Sequence, residues 1–176
     1  MANILILYST TDGHTLEICQ HLKQVIERND NQVSLHPIDM ASHVDLRAFD
    51  KIVLGASIRY GKHNKQVYEF IRRKVQILER KPNAFFSVSL VARKPGKNQP
   101  ETNPYFKKFL KQIPWKPRML AVFAGKLNYP IYGFWDKLII RFIMWITKGP
   151  TSPETVVDYT DWDHVESFGR QICDMR

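Results

Sequence analysis

Ile4-Leu5-Ile6-Leu7-Tyr8 runs directly into Ser9-Thr10-Thr11-Asp12-Gly13-His14-Thr15, and a stripe of Leu16, Cys19, Leu22 and Ile26 follows at once. The order of these three pieces decides the fold. A continuous apolar run is what a strand needs when both of its faces are covered, as in a parallel sheet. The stripe recurs at the spacing of one face of an α-helix. Between them, hydroxyls and backbone amides gather at a helix N-terminus, where unpaired N–H groups and the helix dipole favour an anion. Gly13 lets the backbone come close to a phosphate. The loop matches neither GxGxxG nor GxxxxGK(S/T), so dinucleotide and nucleoside-triphosphate sites lose support. It suits a monophosphate, or else it is an ordinary strand–helix turn with a hydroxyl cap.

Outward from this unit the same alternation repeats. Ile52 to Ala56, Phe85 to Leu90 and Met119 to Phe123 read as buried strands, with a weaker one at Val33 to His36. Helical stripes lie between and after them: Val67, Phe70, Ile71 and Val75; Phe106, Phe109, Leu110 and Ile113; and, behind a Thr160–Asp161 cap, Trp162, Val165, Phe168 and Ile172. Strand and helix alternating five times predicts an α/β, doubly wound, five-stranded parallel sheet in a single domain over residues 1–176. One junction breaks the pattern. Between the fifth strand and the last helix, about 125–159, roughly 35 residues replace the short loop expected there, and insertions of this size are usually functional.

In such sheets ligands bind beyond the carboxyl ends of the strands. Gly55-Ala56-Ser57-Ile58-Arg59-Tyr60-Gly61 follows the third strand, Ser87-Val88-Ser89-Leu90-Val91-Ala92-Arg93-Lys94-Pro95 belongs to the fourth, and Tyr159-Thr160-Asp161-Trp162 opens the last helix. The loop Ser9 to Thr15 resembles the phosphate loop of flavodoxins, approximately T-x-T-G-x-T, with Asp12 as the departure. A carboxylate there would repel a phosphate, so it is expected to turn away, capping amides or accepting from a neighbouring side chain. Together with GASIRYG, SVxLVARKP and the basic, aromatic insertion, the chain resembles over its whole length the bacterial menaquinone-dependent protoporphyrinogen IX dehydrogenases, flavodoxin-like oxidases of haem synthesis.

The resemblance implies an FMN oxidoreductase that takes six electrons from protoporphyrinogen IX and passes them to a membrane quinone, menaquinone or ubiquinone. By position it implies that Ser9, Thr10, Thr11, Asp12, Gly13, His14 and Thr15 hold the phosphate. Ser57, Ile58, Arg59, Tyr60 and Gly61, with Ser87, Val88, Ser89 and Leu90, would frame the isoalloxazine ring, and Gly125, Lys126 and Leu127 would lie on the same rim. Tyr60 is the candidate for stacking on the flavin, against a role in packing alone. Arg59 would neutralise charge near the flavin or a propionate, or form a surface ion pair. His14 and His63 have no sequence neighbour suggesting a metal site or proton relay, and read as polar loop residues. Trp115, between Pro114 and Pro117, reads as packing. No catalytic base emerges, since in flavoenzymes the cofactor carries the redox chemistry.

Charge narrows the partners. The net charge is +9, and residues 91–148 hold 12 basic side chains against only Glu101 and Asp136, an excess of +10. Such a stretch attracts anions or is merely a solvated face. Within it, Phe134 to Thr147 reads FWDKLIIRFIMWIT. On a helix, Lys137, Arg141 and Lys148 fall on a stripe beside an apolar arc of Phe134, Trp135, Leu138, Ile139, Phe142, Trp145 and Ile146. The apolar span, about 15 Å at 1.5 Å per residue, is half the roughly 30 Å of a bilayer core. The helix either lies in an anionic membrane interface or packs on the protein's own core. The first reading places the protein peripherally on the cytoplasmic face of the inner membrane. The start, Met1-Ala2-Asn3-Ile4, lacks a signal peptide's basic flank, and Cys19 and Cys173 form no CxxC, which fits a reducing compartment and no metal.

Three other functions compete. An electron-carrier flavodoxin would surround its flavin with negative charge, whereas Arg93, Lys94 and Lys97 are positive and favour the reduced anion. An NAD(P)H:quinone reductase shares the fold and differs in its reductant. A nucleic-acid-binding module has no helix-turn-helix, RRM or zinc-finger pattern here, so no nucleic-acid partner is expected.

Overall fold

In the computed structural model, which covers residues 1–176, the apolar runs line up as one parallel sheet. Its strands are β1 (Asn3–Ser9), β2 (Gln32–Pro37), β3 (Lys51–Arg59), β5 (Asn83–Ser89) and β6 (Met119–Ala124), in the order β2-β1-β3-β5-β6. A two-residue strand, β4 (Lys62–His63), folds back antiparallel on the end of β3. The register Leu5↔Ile52 and Leu54↔Phe85 places large apolar residues side by side across the sheet.

Alternation along the strands divides the core in two. Leu5, Leu7, Ile52, Leu54 and Phe85 face α2 (Lys65–Arg80) and α3 (Pro104–Gln112). Ile4, Ile6, Val53 and Phe86 face α1 (His14–Glu27) and α5 (Trp162–Asp174). In α1 the buried stripe is Ile18, Cys19, Leu22, Val25 and Ile26, so Leu16 is displaced from the inward face by Ile18. Trp115 is buried in the first core, as packing requires.

The insertion has its own architecture. β7 (Lys126–Asn128) and β8 (Val156–Asp158) pair antiparallel at its neck, and α4 (Phe134–Ile146) spans its middle. Leu127, Tyr129, Tyr132, Ile140 and Met144 form a small core there, separate from the two that flank the sheet. α4 turns only Ile140 and Met144 fully inward. All seven residues of the expected apolar arc are exposed, Phe134 and Trp145 at 70% and Trp135 at 74%. Lys148 does not extend the helical stripe. The helix ends at Ile146, and Lys148 sits beyond it with φ +56°, ahead of Gly149 and Pro150, which end the helical path. No helix is long and apolar enough to cross a membrane.

Candidate functional site

The order reverses between β1 and β3: β2 lies on one side of β1, and β3 and its successors lie on the other. Crevices at such switch points, beyond the strands' carboxyl ends, take ligands. The loop after β1 and the loop after β3 meet there, with Thr11 Oγ1 3.4 Å from Ser57 Oγ.

α1 begins differently from the other helices that pack on the sheet, although α4 in the insertion also starts at an uncapped glycine, Gly133. Asn64, Asn103 and Asp161 cap α2, α3 and α5 with side-chain oxygens, which satisfies amides of the first turn. α1 begins at Gly13, at φ +87° and with no side-chain cap. The amides of His14, Thr15 and Leu16 therefore face outward without an intrahelical acceptor. Thr10 Oγ1 accepts from the Gly13 amide at 3.0 Å, holding the loop in place. Thr15 is 1% exposed, and its Oγ1 has no partner. A buried hydroxyl without a partner is costly unless something completes it. An anion at this turn would do so, and the donor set fits a phosphate.

Asp12 does turn from the cradle: Arg59 donates to both of its oxygens at 2.6 Å. Burial raises the Asp12 carboxyl above the usual carboxylate range, against the lowering effect of Arg59, and nearby Asp136 adds to the rise. The Arg59 guanidinium also lies over the rings of Tyr132, at 5.3 Å, and Tyr60, at 5.8 Å. Tyr60 and Gly61 form the two-residue turn between β3 and β4, at φ +51° and +77°. Positive φ at both positions is the requirement of this hairpin turn, and it is rare for a residue as bulky as tyrosine. The Tyr60 hydroxyl donates to Asp136 of α4, fastening the insertion to the turn.

Two histidines depart from the expected polar loop character. His14 is buried, with Nδ1 3.0 Å from Glu17 Oε2 and Nε2 2.6 Å from Thr160 Oγ1, so its ring is engaged within the protein. His63 is buried against Phe85 and Phe109, with Nε2 2.9 Å from Ser87 Oγ. Burial lowers its pKa to about 3, so it is neutral near pH 7. Thr160 and Ser87 are remote in sequence from the histidines they meet, whereas Glu17 lies one turn from His14.

A cleft joins the pieces. Thr11, Asp12, Ser57 to Gly61, Val88 to Leu90, Gly125 and Lys126 line one part of it. Ser9, Thr10, Gly13 and Thr15 lie outside this lining, in the turn that leads into α1, while Ser87 is spent on His63 and Leu127 points into the insertion's core. The Ser89 hydroxyl, beside the cleft, is buried and unpartnered. The second part of the cleft is lined by Arg93, already conspicuous as a charge in the sequence, and by Tyr105, Tyr132 and the inner face of α4, which the sequence did not single out. The conspicuous face of α4 in the sequence is the opposite, apolar one.

A flavodoxin-domain profile matches residues 5–154. The protoporphyrinogen IX dehydrogenase [quinone] of Escherichia coli (strain K12) is 40% identical over 169 residues, covering 96% of this chain and 93% of the relative. The enzyme of the same name from Leishmania major is 41% identical over 170 residues, covering 96% of this chain and 74% of the relative. The chain belongs to the flavodoxin-domain family and, within it, to the protoporphyrinogen IX dehydrogenases [quinone]. In fold it is similar to Flavodoxin 1 from Bacillus cereus, with a TM-score of 0.56, 13% identity and coverage of 98% of this chain and 97% of that one. An archaeal flavodoxin matches with a TM-score of 0.54, 13% identity and coverage of 98% and 96%. The cofactor implied is a flavin, and the uncapped turn of α1 with the orphaned Thr15 hydroxyl fits its phosphate.

Proposed function

We propose that this protein binds FMN and oxidises protoporphyrinogen IX to protoporphyrin IX, handing the electrons to a membrane quinone, menaquinone or ubiquinone. The observation that carries this reading is the cleft, which runs without a break from the flavin loops to the inner face of α4. A large apolar substrate can thus lie beside the ring while the insertion covers it. The name carried by relatives similar over 96% of the chain supplies the substrate. A turn suited to one phosphate, in a sequence without a dinucleotide fingerprint, supports FMN over a dinucleotide.

When bound, the flavin accepts electrons two at a time and releases them to the quinone, so six electrons and six protons leave the porphyrinogen in three rounds. The chain's own residues bind, orient and exclude water. Gly13, Thr15 and the first amides of α1 hold the phosphate, with Ser9, Thr10 and Thr11 shaping the turn. Ser57 to Gly61 and Val88 to Leu90 frame the ring, and Tyr60 borders it. Arg59, Arg93 and Lys126 make the cleft positive against a single acid, Asp12, which favours the reduced anion. Neither buried histidine is placed as a base: the His14 ring is bonded to Glu17 and Thr160, and the His63 ring is bonded to Ser87, with burial pushing its pKa down to about 3 and leaving it a poor proton acceptor.

The insertion is the proposed membrane contact, on an anionic lipid surface. Phe134, Trp135, Phe142 and Trp145 project outward from α4, with Lys137 and Arg141 on its flank and Lys148 just beyond its end. Aromatic and basic residues on one short helix suit the plane of an interface, and a lipid-borne quinone makes that address useful. The protein would then be peripheral, on the cytoplasmic side of the inner membrane.

Mixing the flavin-loaded protein with protoporphyrinogen IX without oxygen should bleach the flavin band, and a menaquinone analogue should restore it. Rapid bleaching by reduced nicotinamide, with none by the porphyrinogen, would replace this reading with a nicotinamide-dependent quinone reductase.

A further inference from the structure

Beyond the flavin loops the cleft continues between the turn Leu90–Arg93 and the inner face of α4, where Ile140, Ile143 and Met144 make an apolar wall. Arg93 stands at this end. It is half-buried, with one terminal nitrogen donating to Leu90 O at 2.9 Å and the other to Thr147 Oγ1 at 2.8 Å. Its guanidinium lies 5.9 Å from the centre of the Tyr159 ring. Every one of these partners is neutral.

The other two cations of the cleft have acidic companions. Arg59 is held by Asp12 at 2.6 Å, and Lys126 lies 3.5 Å from Glu17. Arg93 enters none of the protein's ion pairs. A guanidinium partly withdrawn from water with no counter-charge is poorly stabilised. Two of its five donors are used, and the rest retain the planar fork that matches a carboxylate. An apolar wall ending in such a fork suits a broad apolar molecule with a carboxylate on one edge. Protoporphyrinogen fits that description: its four pyrroles, joined by saturated methylene bridges, make a puckered apolar macrocycle with two propionates side by side, and the flat product keeps the same two propionates.

We propose that Arg93 anchors a propionate of the tetrapyrrole, seating the substrate between the Leu90–Arg93 turn and the inner face of α4. This inference rests on the reaction proposed above. Thr147 is then a positioning residue: it orients the fork from the end of α4, so the insertion shapes the substrate site from above.

The test compares protoporphyrin IX with its dimethyl ester, which keeps the macrocycle and removes both charges. Binding of each to the flavin-loaded protein is measured by porphyrin fluorescence in one non-ionic detergent. Wild type should prefer the acid by about tenfold or more, the contribution of a charge-assisted bond. Arg93→Gln should bind acid and ester alike and raise KM for protoporphyrinogen with little change in kcat, because ground-state anchoring is lost. Arg93→Lys keeps the charge without the fork and should retain part of the preference. A merely structural role for Arg93 would weaken acid and ester equally. Wild-type preference persisting in Arg93→Gln overturns the anchor and leaves the reaction standing; so does a wild type indifferent to the ester. If the glutamine variant does not hold flavin, an undiminished preference in Arg93→Lys overturns the anchor instead. Failure of protoporphyrinogen to bleach the wild-type flavin overturns reaction and anchor together.

Discussion

Acidification should weaken the fold, and His63 should account for a measurable share. The ring is 6% exposed, lies 4.3 Å from Phe109 and 5.6 Å from Phe85 centre to centre, and meets one polar partner, Ser87 Oγ at 2.9 Å. Desolvation lowers its pKa from 6.5 to about 3. Between those values the unfolded chain binds a proton that the folded chain refuses, so stability is full above pH 6.5 and falls as the pH drops toward 3. Each pH unit inside the window is worth about 1.4 kcal/mol. From pH 7 to pH 5 the loss is about 2 kcal/mol, because only the portion below 6.5 counts. The folded value lies so far below 5 that the folded ring stays unprotonated over this whole range. The perturbation is His63→Phe with Ser87→Ala, which keeps the aromatic packing and leaves no buried hydroxyl stranded. Urea unfolding of the flavin-free proteins at pH 7, 6 and 5 reads the difference. Wild type should lose about 2 kcal/mol more than the double variant over that range. Parallel pH profiles would refute the reasoning, since every other titrating group is common to both.

Other expectations follow from the same geometry. Thr15→Val removes the orphaned hydroxyl at nearly constant volume and should weaken FMN binding about tenfold or more, read by flavin fluorescence titration; unchanged affinity would remove Thr15 from the phosphate site. Gly55→Ala places a Cβ 2.2 Å from Phe86 Cζ; the overpacking should destabilise the protein by about 1–3 kcal/mol in urea melts, and a neutral effect would mean that Phe86 moves freely. Changing Lys137, Arg141 and Lys148 together to Glu should reduce flotation with anionic vesicles, each basic residue near such a surface contributing on the order of 1 kcal/mol. Flavin occupancy should be unaltered, and wild-type binding should weaken in high salt without vanishing. Flotation equal to wild type would end the membrane reading of α4.

The sheet and the uncapped turn at its rim are legible because their signals are local: Ile4 to Tyr8 is a continuous run, and the turn adjoins it in sequence. What escaped was long-range. β7 and β8 have three residues each and lie at opposite ends of the insertion, so neither shows a periodicity that could announce it. His14 and His63 look like polar loop residues until the chain brings Thr160 and Ser87 to them. Arg93 was legible as a charge, but its lack of a counter-ion is a property of the assembled cleft. The exposure of the arc on α4 likewise required knowing which side Ile140 and Met144 occupy.

The neck of the insertion has a mechanical consequence. The chain leaves the sheet's rim at Gly125 and returns at Tyr159, whose amide donates to Gly125 O at 3.2 Å. Exit and return are thus already in hydrogen-bond contact, and the excursion between them is zipped shut by Lys126↔Asp158, Leu127↔Val157 and Asn128↔Val156. Because its ends are pinned together, lengthening or shortening the excursion changes loop-closure entropy only slightly, and the strands on either side need not shift to accommodate it. The segment behaves as a cartridge seated in one socket. Its outer face can be exchanged while the sheet and the loops at its rim stay as they are.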